Sequence, residues 1–192
     1  MGKRKAGAAI CLSICSVLWV AGCSNGVQKQ EDLQGGGAAA YREDVSVQTL
    51  EQAVAEELGE EYWPDADIPQ ETLAETYGVA KDLYEEVSAR MPLISAHVDT
   101  LILIKAKEGE EETVRKALEA YRSRQAESAM QYPMNLGKIQ AAQVARFGRY
   151  VCFVQLGGDI TQPSQEGEEA VILHCQEENA RALAVMEGLL AK

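Results

Sequence analysis

Few side chains in this chain have types and spacing suited to chemistry. His97 and Asp99 form His-x-Asp just before an apolar run. In an extended segment both would project to one side, as a metal or acid/base pair requires, but no third ligand is identifiable beside them. A loop histidine next to a hydrogen-bonded aspartate is the expected arrangement. His174-Cys175 pairs a thiol with a base in sequence, yet helical neighbours point about 100° apart, which separates the two functions. Asp65-Ala66-Asp67, close after Glu60-Glu61, offers hard oxygen ligands of the kind Ca²⁺ takes. The spaced third acid, glycine and terminal glutamate of a helix-loop-helix calcium site are missing, so a turn with helix-flanking acids is expected.

Gly157-Gly158-Asp159 reads as a turn, because no lysine followed by serine or threonine opens a phosphate loop there. Neither Gly-x-Ser-x-Gly nor His-Glu-x-x-His occurs. Among the cations, Arg122, Arg124, Arg146 and Arg149 stand out against an acidic background. If Arg122 and Arg149 converge, their guanidinium forks suit a carboxylate or phosphate ligand, with Arg124 beside them. Ion pairs with the many glutamates account for them equally well. No catalytic residue, metal ligand or cofactor is assigned.

The elements that would position these groups follow from hydrophobic period. Val47, Leu50, Ala53, Val54 and Leu58 recur at helical spacing over 46–58, with Gly59 as the stop. A short helix is expected over 70–76, opened by Pro69 and closed near Gly78, and Trp63-Pro64-Asp65-Ala66-Asp67 reads as a loop. Leu83, Glu85, Val87, Ala89 and Met91 alternate with Tyr84, Glu86, Ser88 and Arg90, the pattern of a half-exposed strand. Thr100-Leu101-Ile102-Leu103-Ile104 carries no such alternation and belongs to a central strand covered on both faces. A helix follows over 110–131, with Val114, Leu118, Tyr121, Gln125 and Ser128 on one stripe.

Residues 141–146 read as a weak strand, with a helical or irregular segment as the alternative, which Phe147-Gly148 turns into the strongly β-prone 149–156. After a polar loop over 163–167, an amphipathic helix runs over 168–190, with Ile172, Cys175, Leu183, Met186 and Leu190 on its stripe. The expected fold is α+β, with a mainly antiparallel four-stranded sheet packed by helices in the order ααββαββα.

The amino-terminal segment is of another kind. Lys3-Arg4-Lys5, an apolar run from Ala8 to Val20 and Val20-Ala21-Gly22-Cys23 together resemble a bacterial lipoprotein signal with its lipobox, Val20 standing where leucine is more usual. The resemblance implies cleavage before Cys23 and a diacylglyceryl group on its thiol. The apolar run is shorter than the roughly 20 residues a spanning helix needs, and an uncleaved anchor or plain secretion are the alternatives to lipidation. Two acyl chains on one cysteine hold stably where a single chain binds only marginally.

The expected organisation is a signal over 1–22, a lipidated flexible tether over 23–40 and one α+β domain over 41–192. About 17 tether residues, glycine-rich and poor in apolar groups, span roughly 20–25 Å. The whole chain carries a net charge of −12. Loss of Lys3, Arg4 and Lys5 with the signal takes it to about −15, which disfavours nucleic acid and anionic headgroups as partners. Cys11 and Cys15 leave with the signal and Cys23 is consumed by lipid, leaving Cys152 and Cys175. Both lie on apolar patterns, so two buried thiols are expected, with a disulfide as the alternative outside the cytoplasm.

Met91-Pro92-Leu93, Asp99, Leu101-Ile102-Leu103-Ile104-Lys105-Ala106-Lys107, Gly109, Arg122, Arg124, Gln125, Tyr132-Pro133 and Gly148-Arg149-Tyr150-Val151 carry a second resemblance. Over roughly 45–157 the chain resembles the domain of unknown function family numbered 4358, found in small lipoproteins of low-GC Gram-positive bacteria. That resemblance implies a lipoprotein setting and a compact domain, and it transfers no activity or ligand. The function expected is a membrane-anchored extracytoplasmic binding or accessory module, held through Cys23 and serving an envelope protein. An exposed aromatic patch near Tyr62, Trp63 and Tyr132 would favour it. The alternatives are an envelope-acting hydrolase using Asp65, Asp67 or Asp99, and a structural or assembly subunit.

Overall fold

The lack of alternation in residues 100–104 has a direct structural cause. In a computed structural model, which describes residues 41–94, 96–127 and 135–192, β3 (Thr100–Ala106) is the middle strand of five. Leu101 and Leu103 face one apolar cluster, and Ile102, Ile104 and Ala106 face another on the opposite side of the sheet. Full burial of each Leu or Ile contributes about 1.5–3 kcal/mol, so this strand is an apolar tie between the two layers.

Its neighbours are β2 (Tyr84–Met91) and β5 (Tyr150–Gln155), flanked by β1 (Ala66–Asp67) and β4 (Gln143–Phe147). The order is β1-β2-β3-β5-β4, and every pairing is antiparallel. One face is covered by α1 (Val47–Leu58) and the long α6 (Glu168–Leu190), whose apolar stripes meet Leu101, Leu103, Cys152 and Val154. The other is covered by α2 (Gln70–Glu75) and α3 (Glu111–Glu127), through Leu73, Val114, Leu118 and Tyr121. Ser46 starts α1 as its side chain accepts the Thr49 N–H at 3.1 Å.

The fold is α+β as expected, but the sheet has five strands rather than four. The extra strand, β1, lies inside the Trp63–Asp67 segment that reads as a loop. Its two residues are too few to show a period, and it forms because Ala66 and Asp67 fall opposite Met91 and Arg90. The order ααββαββα also lacks two short helices that the structure contains, α4 (Leu136–Ala141) and α5 (Pro163–Glu166). In β2 the alternation places Tyr84 on the opposite face from Val87. A bulge between Tyr84 and Glu86 reverses this, and Tyr84, Val87 and Ala89 all enter the α3-side cluster.

The described residues belong to one compact unit. They begin at Tyr41, which bridges to Ala191 and packs edge-on against Phe147 with ring centroids 5.6 Å apart. Both lie at the end of the sheet where β4 turns into β5; the other end carries the entry to β3 and the exit from β5. No helix among the described residues is long and apolar enough to cross a membrane. Cys23, the lipobox-like segment and the expected tether lie outside the described residues, as do Ser128, Tyr132 and Pro133.

Candidate functional site: a buried lysine–aspartate pair

Thr100 pairs with Gln155, so antiparallel register brings Asp99, just before β3, beside Leu156-Gly157-Gly158, just after β5. Asp99 Oδ1 accepts the Gly158 N–H at 3.0 Å. Its Oδ2 accepts from Lys138 Nζ at 2.6 Å, and Nζ also donates to the Gly158 carbonyl at 2.7 Å. The side chains of Lys138 and Asp99 are 2% and 0% exposed. An ion pair so far from water is stable only when its remaining hydrogen-bonding capacity is met, and Gly158 supplies one donor and one acceptor for that purpose.

Aromatic and glycine contacts complete the enclosure. Nζ lies 4.5 Å from the Trp63 ring centroid, and the His97 ring meets Trp63 edge-on at 4.6 Å. Trp63 is itself fixed by donating from Nε1 to the Glu60 carbonyl at 3.1 Å. Gly157 must be glycine because a Cβ there would fall 2.6 Å from Cys175 Sγ and 3.2 Å from Lys138 Cε. At Gly158 φ is +49°, and a Cβ would meet Glu61, whose carboxylate accepts the Asp159 N–H at 2.7 Å.

A ring of buried amides positions the surrounding backbone. Gln155 Nε2 donates to the Val98 carbonyl at 2.5 Å, and Asn135 Nδ2 to that of Ala96 at 3.0 Å. Asn179 on α6 accepts the Leu156 N–H and donates to the Ala141 carbonyl, both at 2.8 Å. The ends of β5 and α4 are thereby tied to α6.

The sequence-derived candidates are distributed over separate partners. His97 packs on Trp63 and Asp99 pairs with Lys138, so the two are joined through Trp63 and Lys138 rather than by a shared ligand. Asp65 accepts the Leu93 N–H at 2.6 Å and Asp67 accepts from Arg90 at 2.8 Å. Arg122 donates to Glu119 at 2.8 Å, Arg124 to the Thr76 carbonyl at 2.9 Å and Arg146 to the Gly148 carbonyl at 2.9 Å. Arg149 binds the Ala106 carbonyl at 2.6 Å and Glu85 at 2.5 Å, which holds the Glu85 carboxyl below its ordinary range. These four arginines share no partner among those bonds. Lys138 carried no sequence signal; Asp99 was singled out for a different chemistry.

His174 bonds the Gly157 carbonyl at 3.0 Å, and the Cys175 thiol occupies the space that a Cβ on Gly157 would need. Cys152 and Cys175 are free, buried thiols. Burial pushes both up to about 12 from 9.0. Peptide mapping should therefore find both alkylated at pH 8 at least about a hundredfold faster after denaturation than before. The sign of their pH dependence is fixed: the unfolded chain loses these protons first, so they stabilise the fold fully below pH 9.0 and progressively less up to about 12. Equal labelling rates in the native and denatured chain would contradict the burial.

Residues 57–156 match the family described as Domain of unknown function (DUF4358). The match spans just over half of the chain, which belongs to that family. It contains Trp63, His97, Asp99 and Lys138, and ends immediately before Gly157 and Gly158. No curated protein and no solved structure matches the chain.

Proposed function

We propose that this chain is a lipid-anchored, extracytoplasmic binding or accessory module that engages an envelope protein through the loop after β2. The observation that carries this reading is the pair Leu93 and Ile94, 79% and 65% exposed at positions whose own backbone groups are hydrogen-bonded. The Leu93 N–H is held by Asp65, Pro92 is buried, and the Ile94 carbonyl accepts the His97 N–H at 3.1 Å. Large apolar side chains on a hydrogen-bonded backbone lose little conformational freedom when a partner covers them. Asp65 and Asp67 beside the loop favour a partner whose apolar recess has a basic rim.

Of the aromatic patch anticipated at Tyr62, Trp63 and Tyr132, the first two are half-buried and Tyr132 lies outside the described residues; the most exposed large apolar side chains described, Leu93 and Ile94, are aliphatic. Asp65, Asp67 and Asp99 are each committed to a different partner, which supports binding over carboxylate-based hydrolysis. Anchoring at Cys23 rests on the lipobox resemblance.

The test is a photoreactive side chain at position 93 of the lipidated full chain, irradiated in native membranes and read by mass spectrometry. One envelope protein should be captured. Its yield should fall at least about tenfold with Ile94→Ser, since a central apolar contact is worth about 2 kcal/mol or more. Capture should also fall with Cys23→Ser, which cannot be acylated. Capture of lipid alone, or of nothing above a probe at exposed Glu127, would overturn the reading.

A further inference from the structure

Lys138 and Asp99 are more than a pair of opposite charges in contact. An amine and a carboxyl held 2.6 Å apart, shut from water and each fixed by the same residue, have the components of an amide. We propose that Lys138 Nζ and Asp99 Cγ close to an intramolecular isopeptide bond.

Three features carry this. Burial keeps water from both groups, so no solvent competes with the amine at Cγ or hydrolyses the amide once formed. Fixing both groups turns a bimolecular condensation into a unimolecular one. Finally, the Gly158 N–H, 3.0 Å from Oδ1, is placed to hold the negative charge that develops there when the carbonyl is attacked.

The step balances within the pair. A proton moves from the Lys138 ammonium to Asp99 Oδ2 along their hydrogen bond, giving amine and acid. The amine lone pair attacks Cγ, forming the N–C bond and leaving Oδ1 as an oxyanion against Gly158. A second proton passes from nitrogen to the Oδ2 hydroxyl, which departs as water when the C–O bond breaks. The amide N–H retains the Gly158 carbonyl as acceptor, and the amide oxygen retains the Gly158 N–H as donor. No oxidant or co-reactant enters. The Trp63 face favours the ammonium and so slows the step, while its ring covers the product against hydrolysis.

The full chain, extracted from membranes and incubated before denaturation, is digested and its peptides mapped by mass. The expected result is a branched peptide joining the Asp99 and Lys138 segments, lighter by one water than their sum. In Asp99→Asn the same branch should form with loss of ammonia; Asp99→Ala and Lys138→Arg should yield only linear peptides. The decisive measurement is on the unaltered chain and does not depend on any variant folding. Only linear peptides with free Asp99 and Lys138, after prolonged incubation, would overturn the proposal.

Discussion

Asp99→Ala should cost about 3–5 kcal/mol of folding stability, read as a lower urea midpoint, because it leaves the Lys138 ammonium buried without a counter-charge. Domains of this size are stable by only about 5–15 kcal/mol, so the variant should be partly unfolded at mild temperature. The loss arises from the orphaned charge more than from the pair's net attraction. Measured against chain whose pair is still open, removing both charges together, as Asp99→Ala with Lys138→Met, should therefore recover much of it. With the amide closed, Asp99→Ala also removes a covalent tie, and the loss grows. A single-variant loss below about 1 kcal/mol would mean that water reaches the pair and screens it.

Gly158→Ala should be the second costly change. At φ +49° a side chain adds about 1–2 kcal/mol of backbone strain. A Cβ there would lie 2.8 Å from the Glu61 carbonyl oxygen and 2.9 Å from its Cα, backbone atoms that cannot rotate aside, adding about 1–3 kcal/mol. Relief by moving Gly158 would pull its N–H and carbonyl from Asp99 and Lys138, so a loss of about 3–5 kcal/mol is expected. Gly109 provides the control. Its φ is +88° but nothing lies within 4 Å of a built Cβ, so Gly109→Ala should show only the strain. Equal urea midpoints for the two variants would remove the close-approach argument.

Long periodic elements were legible, as was short α2 through the Pro69 that opens it, whereas β1, α4 and α5 were not. The bounds of α6 follow from its stripe and from Gly167, and the central place of β3 follows from Leu101–Ile104, because burial on two faces erases alternation. Two residues of β1 and six of α4 cannot display a period, and the bulge in β2 is set by pairing with β3 rather than by local composition. The same reasons hid the candidate site. Lysine is normally exposed, so nothing in Leu136-Gly137-Lys138 announces a buried ammonium. Its partner Asp99 lies 39 residues away in the chain. Gly157-Gly158 follows β5 without forming the hydrogen-bonded turn expected of it, and the reason for two glycines is the approach of Cys175, Lys138 and Glu61, which only the folded chain brings there.

The Tyr41–Ala191 bridge makes the described chain nearly a closed ring. A short flexible linker from Lys192 back to Tyr41 would complete it, and new ends can be opened at the exposed Glu108-Gly109 turn without cutting the strands that hold Asp99 and Gly158. Such a circular permutant would keep the layers while changing which segments emerge first during synthesis. Fusions at Tyr41 or Lys192 of the native order would all hang from one end of the sheet, leaving the Leu93–Ile94 end unobstructed.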